Sequence, residues 1–172
     1  FAAMQQVLET NPKYFDALTA SAVILDTLGK KEEARGYYEK ALAIEHENKF
    51  LRTSYALNLA TGEKIPEAIE IYTRLIEDHP GEYILYQNLG IAHGVSGNYA
   101  KAIENLKQAI SLHPTPIAYL NLAVALKETG EIAEAIRYFE LYLEDPRGED
   151  ESKIKSARME LLNLQRALKR KK

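Results

Sequence analysis

The 172-residue sequence predicts an all-α protein in which short helical hairpins repeat along the chain and stack side by side. Three prolines, Pro12, Pro80 and Pro114, lie at multiples of 34 residues from one another, and His46 occupies the remaining position of that series. Alanines recur with nearly the same step, and the apolar residues between them are three or four positions apart, as on one face of a helix. One short hairpin cannot bury its apolar face alone, so we expect these repeats to be stable only as a stack.

Each repeat is predicted to contain a helix, a tight turn and a second helix. In the third repeat the helical spacing is interrupted at Gly97-Asn98, which marks the turn. Gly29 and Gly130 mark the same turn in the first and fourth repeats, and Gly62 is expected to mark it in the second, one position early. Proline is expected in the opening turn of a helix at Pro66 and just after helix ends at Pro80, Pro114 and Pro146.

Small residues recur where the two helices of a hairpin should cross. Helices approach closely only where the crossing point lacks bulk, and a large residue four positions later is expected to fill the space beyond. The predicted crossing pairs are Ala22 with Ala34, Ala56 with Ala68, Gly90 with Ala102 and Ala123 with Ala135. The large residues that follow them are Tyr38, Tyr72, Leu106 and Phe139.

Composition excludes several classes of protein. Hydrophobic residues make up 46% and charged residues 27%, close to a typical globular protein, and no apolar run approaches the roughly 20 residues of a membrane span. The formal net charge of −3 is too mild to predict a nucleic-acid partner, and the absence of cysteine excludes disulfides and thiolate chemistry. The compartment is left open between cytoplasm and periplasm, with the cytoplasm favoured. Because the chain starts at Phe1 without a Met, we expect it to be cut from a longer protein.

The third repeat carries a recognisable pattern. Its residues Tyr86-x2-Leu89-Gly90-x2-His93, followed by Ala102, Leu106, Ala109 and Pro114, resemble the tetratricopeptide repeat pattern W-x2-L-G-x2-Y…A-x3-F…P. The resemblance covers nearly the whole chain and implies a right-handed superhelical solenoid of helix-turn-helix repeats closed by a C-terminal capping helix. The implied segments are the second helix of a truncated repeat at 1–14, repeats at 15–48, 49–82, 83–115 and 116–148, and a capping helix with a basic tail at 149–172. The other repeats depart locally, with Ser21 and Tyr55 at the leucine position, His46 for the closing proline and Tyr142 for a small residue.

The last segment has the pattern of a cap. A narrow apolar stripe, in a helix expected from about 150 to 169, faces a wide charged surface; its members are Ile154, Ala157, Leu161, Leu164 and Leu168. The tail Lys169-Arg170-Lys171-Lys172 leaves residues 149–172 at 8 − 4 = +4. A basic landing site for nucleic acid or membrane is one interpretation, and a solvated helix end with cations at its negative dipole terminus is the favoured one.

No catalytic, metal or cofactor site is predicted, so we expect this fragment not to be an enzyme. His46, His79 and His113 fall roughly one repeat apart, and stacking should space them by about 10 Å, far beyond the bond lengths of a shared metal ion. His93 occupies a tyrosine position of the pattern and is expected to be a packing residue. The sequence contains no Gly-rich phosphate loop, nucleophile elbow or zinc-protease motif.

The resemblance implies where a partner would bind. In this family the first helices line a concave groove that holds peptides or partner helices, and the ninth repeat position here is aliphatic throughout. The implied groove residues are Val23, Phe50, Leu57, Ile84, Gln87, Asn88, Ile91, Ile117, Asn121 and Val124. Alternatively, the position-nine side chains pack against the adjacent first helix. A clamp for a C-terminal carboxylate is disfavoured because Lys127 is the only nearby cation.

These patterns predict a protein-interaction module that captures a partner peptide or an amphipathic helix in an apolar groove. Two alternatives remain open at the level of sequence. The repeats can be the substrate-recruiting or regulatory arm of a larger enzyme, for example a glycosyltransferase, or they can mediate self-association through the N-terminal helix or the groove.

Overall fold

The computed structural model describes residues 1–146 and 149–170, and every regular element in these residues is an α-helix. Arg147 and Gly148 of the predicted fourth repeat, and Lys171 and Lys172 of the predicted basic tail, lie outside the described residues. The helices are α1 (Ala2–Thr10), α2 (Phe15–Thr27), α3 (Lys31–Leu42), α4 (Lys49–Thr61), α5 (Ile65–Asp78), α6 (Tyr83–Val95), α7 (Tyr99–Leu112), α8 (Pro116–Thr129), α9 (Ile132–Glu144) and α10 (Glu151–Arg170). The prediction of an all-α chain is confirmed.

The chain forms two compact units. Unit 1 is Phe1–Pro80 and holds α1–α5, and unit 2 is Gly81–Lys172 and holds α6–α10. Within unit 1 the hairpins α2–α3 and α4–α5 pack together through α3 and α4, with α1 against α2. Within unit 2 the hairpins α6–α7 and α8–α9 pack through α7 and α8, with α10 against α9. The first helices begin at the first residue of each predicted repeat.

The four hairpin turns are closed by the same backbone hydrogen bond. The N–H at repeat position 16 donates to the carbonyl at position 11 over 2.9 Å in every repeat, as from Lys30 to Leu25 and from Glu131 to Leu126. This bond requires a left-handed residue between them. Gly29, Gly97 and Gly130 supply it with φ of 75°, 79° and 84°.

In the second repeat the left-handed residue is Glu63, with φ of 66°, and Gly62 lies in the turn one position earlier, as predicted. Gly62 has φ of −100°, so its own conformation does not call for glycine, but its surroundings favour one. A Cβ at this position would lie 2.7 Å from Nη2 of Arg35, a side chain that is only 4% exposed. The glycine therefore makes room for a buried guanidinium, whose Nη1 donates to both Glu32 carboxylate oxygens over 2.7 and 2.8 Å.

The predicted small residues lie at the helix crossings. All seven predicted alanines are completely buried: Ala22, Ala34, Ala56, Ala68, Ala102, Ala123 and Ala135. A Cβ on Gly90 would lie 2.7 Å from Cγ of Leu106 and 3.2 Å from the carbonyl oxygen of Ala102. The crossing there is too close for any side chain, as the spacing predicts.

Prolines and the last helix also follow the predicted pattern. Pro66 lies in the first turn of α5, and α5, α7 and α9 each end two residues before a proline. In α10 the stripe faces α9, with Ala157 and Leu164 buried and Leu168 36% exposed at the far end. A helix that buries one narrow stripe and exposes the rest is a cap for the last hairpin.

Candidate functional site

In unit 1 the predicted groove residues line one hollow between the first helices α2 and α4. Val23, Phe50 and Leu57 are 38%, 63% and 47% exposed and lie around a space of about 320 Å³, which we call the first-unit hollow. Apolar side chains of this size are usually buried, so three of them around one depression form a candidate contact surface.

The floor of the first-unit hollow is polar and internally paired. Asp26 accepts hydrogen bonds from Lys31 Nζ over 2.6 Å and from Asn58 Nδ2 over 3.0 Å, and its other oxygen accepts one from the Tyr38 hydroxyl over 3.3 Å. Burial, together with the adjacent Asp26 carboxylate, raises the pKa of Tyr38 above its usual range. This network joins α2, α3 and α4 and fills the bottom of the hollow.

In unit 2 the corresponding hollow lies between α6 and α8. Ile91, Asn121 and Val124 line a space of about 210 Å³, which we call the second-unit hollow. Val124 is 38% exposed, whereas Ile91 is half-buried and packs against the core of unit 2. Ile117 is 40% exposed on α8 but does not line this hollow.

The two hollows occupy equivalent repeat positions and differ in chemistry. The difference lies at three of the positions that line both hollows, positions 12, 17 and 24 of one repeat. Asp26, Lys31 and Tyr38 fill them in unit 1, and Gly94, Tyr99 and Leu106 fill them in unit 2. The same architecture therefore presents a charged, hydrogen-bonded floor in unit 1 and an apolar floor in unit 2.

The remaining predicted groove residues have more structural roles. Gln87 is only 4% exposed, and its Oε1 accepts a 2.5 Å hydrogen bond from Thr115, the residue whose side chain also caps the N-terminus of α8. Asn121 donates through Nδ2 to the Ile117 carbonyl over 2.8 Å, and Ile84 and Asn88 are half-buried on α6. Gln87 thus ties α6 to α8 and has little surface to offer a partner.

Charge near the second-unit hollow is concentrated in three residues. Lys127 Nζ lies 3.3 Å from carboxylate oxygens of both Glu128 and Glu160. Burial lowers the pKa of Lys127, but these two carboxylates outweigh it and raise the pKa overall. Lys127, the one cation that the sequence analysis placed near the groove, is therefore already paired with Glu128 and Glu160.

Several hollow-lining residues lie outside the predicted groove set. They include Asp26, Thr27 and Lys31 in unit 1 and Gly94, Val95, Tyr99 and Glu128 in unit 2. Most of these residues could have been identified from the sequence by their helical spacing from the predicted groove positions. Positions 12 and 13 lie one turn beyond position nine, and side chains three and four residues apart share a helix face.

The described residues form neither a metal-binding cluster nor a membrane-spanning helix. No group of three or more His, Asp or Glu residues lies close enough to hold a metal ion, and no described helix is long and apolar enough to cross a membrane. His93 is 7% exposed within α6, the environment expected of a packing residue.

Comparison with known proteins gives relatives of one architecture. The type IV pilus assembly protein PilF of Pseudomonas aeruginosa is 28% identical over 145 residues, covering 81% of this chain but only 56% of that protein. The structure of MamA residues 41–end from Desulfovibrio magneticus has a TM-score of 0.77 at 18% identity, covering 86% of this chain and 84% of that one. Cut9, in the Cut9–Hcn1 hetero-tetramer of the anaphase-promoting complex, has a TM-score of 0.80 at 22% identity, covering 96% of this chain and 32% of that one.

The family is given by the sequence match itself. A sequence model described as tetratricopeptide repeat matches residues 2–47 and 87–150, more than half of the chain. The matched segments contain the α2–α3 and α8–α9 hairpins and most of α6–α7, with their buried crossing residues. The chain belongs to the tetratricopeptide repeat family.

Proposed function

We propose that this chain is a protein-interaction module, in which the exposed side of the first helices captures a partner peptide or an amphipathic helix. The observation that carries the proposal is the set of exposed apolar side chains on these helices. Val23, Phe50 and Leu57 in unit 1, and Ile117 and Val124 in unit 2, are each at least 38% exposed. Within one unit, exposed apolar side chains held at fixed positions on the first helices can recognise apolar residues spaced along a partner segment.

Preorganisation is the mechanism that the fold supports. The helices bearing these residues are held by completely buried crossing residues and by identical backbone-closed turns, so the surface exists before a partner arrives. Binding then requires ordering of the partner only, which lowers the entropic cost of association. The relative named for pilus assembly and the structural neighbour found within a multi-subunit assembly also support an interaction role.

The test compares two double variants. Leu57→Lys with Val124→Lys places one charge on the first-helix surface of each unit at exposed positions, leaving half-buried Ile91 in place. Thr73→Lys with Gln108→Lys adds the same charges at exposed positions of the second helices and serves as the matched control. Burying one aliphatic side chain is worth about 1.5–3 kcal/mol, so losing two anchors should weaken binding at least about tenfold.

Peptides selected from a displayed random library on the wild-type protein provide the ligands. We expect the selected peptides to carry apolar residues at regular spacing. Titration calorimetry should show weakened binding to the first-helix variant and unchanged binding to the control. Both variants should melt near the wild-type temperature. Selected peptides that bind the first-helix variant as tightly as the wild type contradict the proposal.

A further inference from the structure

Gly94 is a glycine that the packing of the protein does not require. It lies in the last turn of α6, one residue before the helix ends, where its backbone is helical and does not require glycine. A Cβ there would meet only Cβ of Ala102, at an ordinary 3.8 Å. Gly90, one turn earlier, is different because Leu106 leaves no room for a side chain. The missing side chain at position 94 therefore keeps the second-unit hollow open.

The volume and lining of this hollow suit one apolar side chain. Its walls include Tyr99, Leu106, Val124 and Ala125, and its volume is about 210 Å³. A cavity of about 150 Å³ lined by aliphatic and aromatic residues is large enough to bind benzene. The second-unit hollow can therefore take a side chain of the size of leucine, methionine or phenylalanine.

The rim of the hollow is negatively charged. Glu128 is the charged residue among those that line it, and it shares the Lys127 ammonium with Glu160, both at 3.3 Å. Two carboxylates around one ammonium leave a net negative charge beside the opening. A basic group next to the inserted side chain would complement this charge, and an acidic group would be repelled.

We propose that the second-unit hollow binds a single leucine-, methionine- or phenylalanine-sized side chain of a partner segment that carries a lysine or arginine beside it. The inference rests on the proposed function, since it names the anchor by which a captured segment is recognised. We expect the first-unit hollow to hold such an anchor less well, because its floor is formed by the charged Asp26–Lys31 pair with Asn58 and Tyr38 rather than by apolar side chains.

Disulfide capture tests the hollow without knowledge of the partner. The chain contains no cysteine, so Val95→Cys, at a rim residue that is 68% exposed, introduces a single thiol. Thr27→Cys places a thiol at the same repeat position beside the first-unit hollow and is the matched control. Each protein is equilibrated under partly reducing conditions with disulfides of 4-methylbenzyl, 4-(aminomethyl)benzyl, 4-carboxybenzyl and 2-hydroxyethyl thiols, and the labelled fraction is read by intact mass.

We expect Val95→Cys to capture the 4-methylbenzyl fragment at least fivefold more than the hydroxyethyl fragment, and Thr27→Cys to show no such preference. Adding Gly94→Leu to Val95→Cys fills the hollow and should abolish the preference. If the leucine variant does not fold, Val124→Gln replaces an exposed apolar wall residue by a polar one and should reduce the preference. The cationic fragment should be captured several-fold more than the anionic one, and Glu128→Gln should remove that difference.

The inference is overturned if Val95→Cys and Thr27→Cys prefer the 4-methylbenzyl fragment over the hydroxyethyl fragment equally. It is also overturned if this preference at Val95→Cys survives both Gly94→Leu and Val124→Gln. Stronger capture of the 4-carboxybenzyl fragment than of the 4-(aminomethyl)benzyl fragment overturns the proposal that a basic group lies beside the anchor. A covalent homodimer of the Val95→Cys protein that Gly94→Leu prevents would make a second copy of the chain the occupant and also overturn it. A failed capture with intact peptide binding in the library experiment would reject this anchor while leaving the proposed function standing.

Discussion

At the scale of single residues, one repeat position determines the character of each hollow. Asp26 and Gly94 both lie at position 12 of their repeats, and the first anchors a hydrogen-bonded floor while the second leaves apolar space. The sequence pattern predicts the helix that carries position 12. It does not predict the contents of the hollow, because these depend on which residues of the next helix, such as Asn58, reach the same point.

His93 is the residue with the clearest pH-dependent contribution to stability. Burial within α6 lowers its pKa below the ordinary value of about 6.5, and the nearby Lys101 lowers it further. The folded state then binds fewer protons than the unfolded state, so its stability is complete above about pH 6.5 and falls as the pH drops through that value. The slope is at most about 1.4 kcal/mol per pH unit for one group.

Replacing His93 by glutamine should remove this part of the pH dependence. We expect the urea midpoint of the wild type to fall between pH 7 and pH 5.5 and the midpoint of His93→Gln to change less. His46→Gln is the control, because the His46 side chain is 82% exposed and should leave the wild-type profile unchanged. Parallel profiles for wild type and His93→Gln would show that His93 is not the group responsible.

At the scale of elements, the crossing alanines and the prolines made helix pairing predictable from spacing alone. Both act locally, through steric bulk and a missing backbone N–H, so their positions carry over directly into structure. The second turn differs in detail, because its glycine, Gly62, precedes the left-handed position by one residue, as its spacing predicts. The hydrogen-bond register places Glu63 there, and Gly62 lies beside the guanidinium of Arg35.

The strained turn gives a stabilisation experiment. A non-glycine residue in the left-handed region costs about 1–2 kcal/mol, so Glu63→Gly should raise the free energy of unfolding by about 1 kcal/mol after the added chain entropy is subtracted. Gly97→Ala makes the opposite exchange at the equivalent position of the third repeat, where φ is 79°. Because no atom lies within 4 Å of an added Cβ, this variant should lose stability through backbone strain alone. Urea denaturation measures both, and a loss of stability in Glu63→Gly would refute the strain argument.

At the scale of the whole molecule, burial is distributed unevenly among the helices. α1 has no buried residue, whereas α8 buries Ala118, Leu122, Ala123, Ala125 and Leu126 and packs against α6, α7 and α9. In repeat proteins each helix pair gains stability from its immediate neighbours, so opening should be easiest where neighbours are fewest.

Native-state hydrogen exchange should report this gradient. We expect the amides of α1 to exchange near the rate of an unfolded chain and those of α8 to be protected at least about a thousandfold more. Mass spectrometry of peptic fragments after labelling at pH 7 resolves the two helices. Similar protection in α1 and α8 would mean that the first helix is held by interactions beyond those of the described residues.

The four identical turns have a consequence for how such a chain can diversify. Since each turn is closed by main-chain atoms, with the N–H of position 16 bonded to the carbonyl of position 11, its geometry does not depend on the side chains that face a partner. Exposed residues at position 13, such as Thr27 and Val95, can therefore be exchanged between repeats while the turn keeps its backbone geometry. Asp26 at position 12 and Ile91 at position 9 also hold neighbouring helices together, so a change of specificity there needs a compensating change in the residues that they contact.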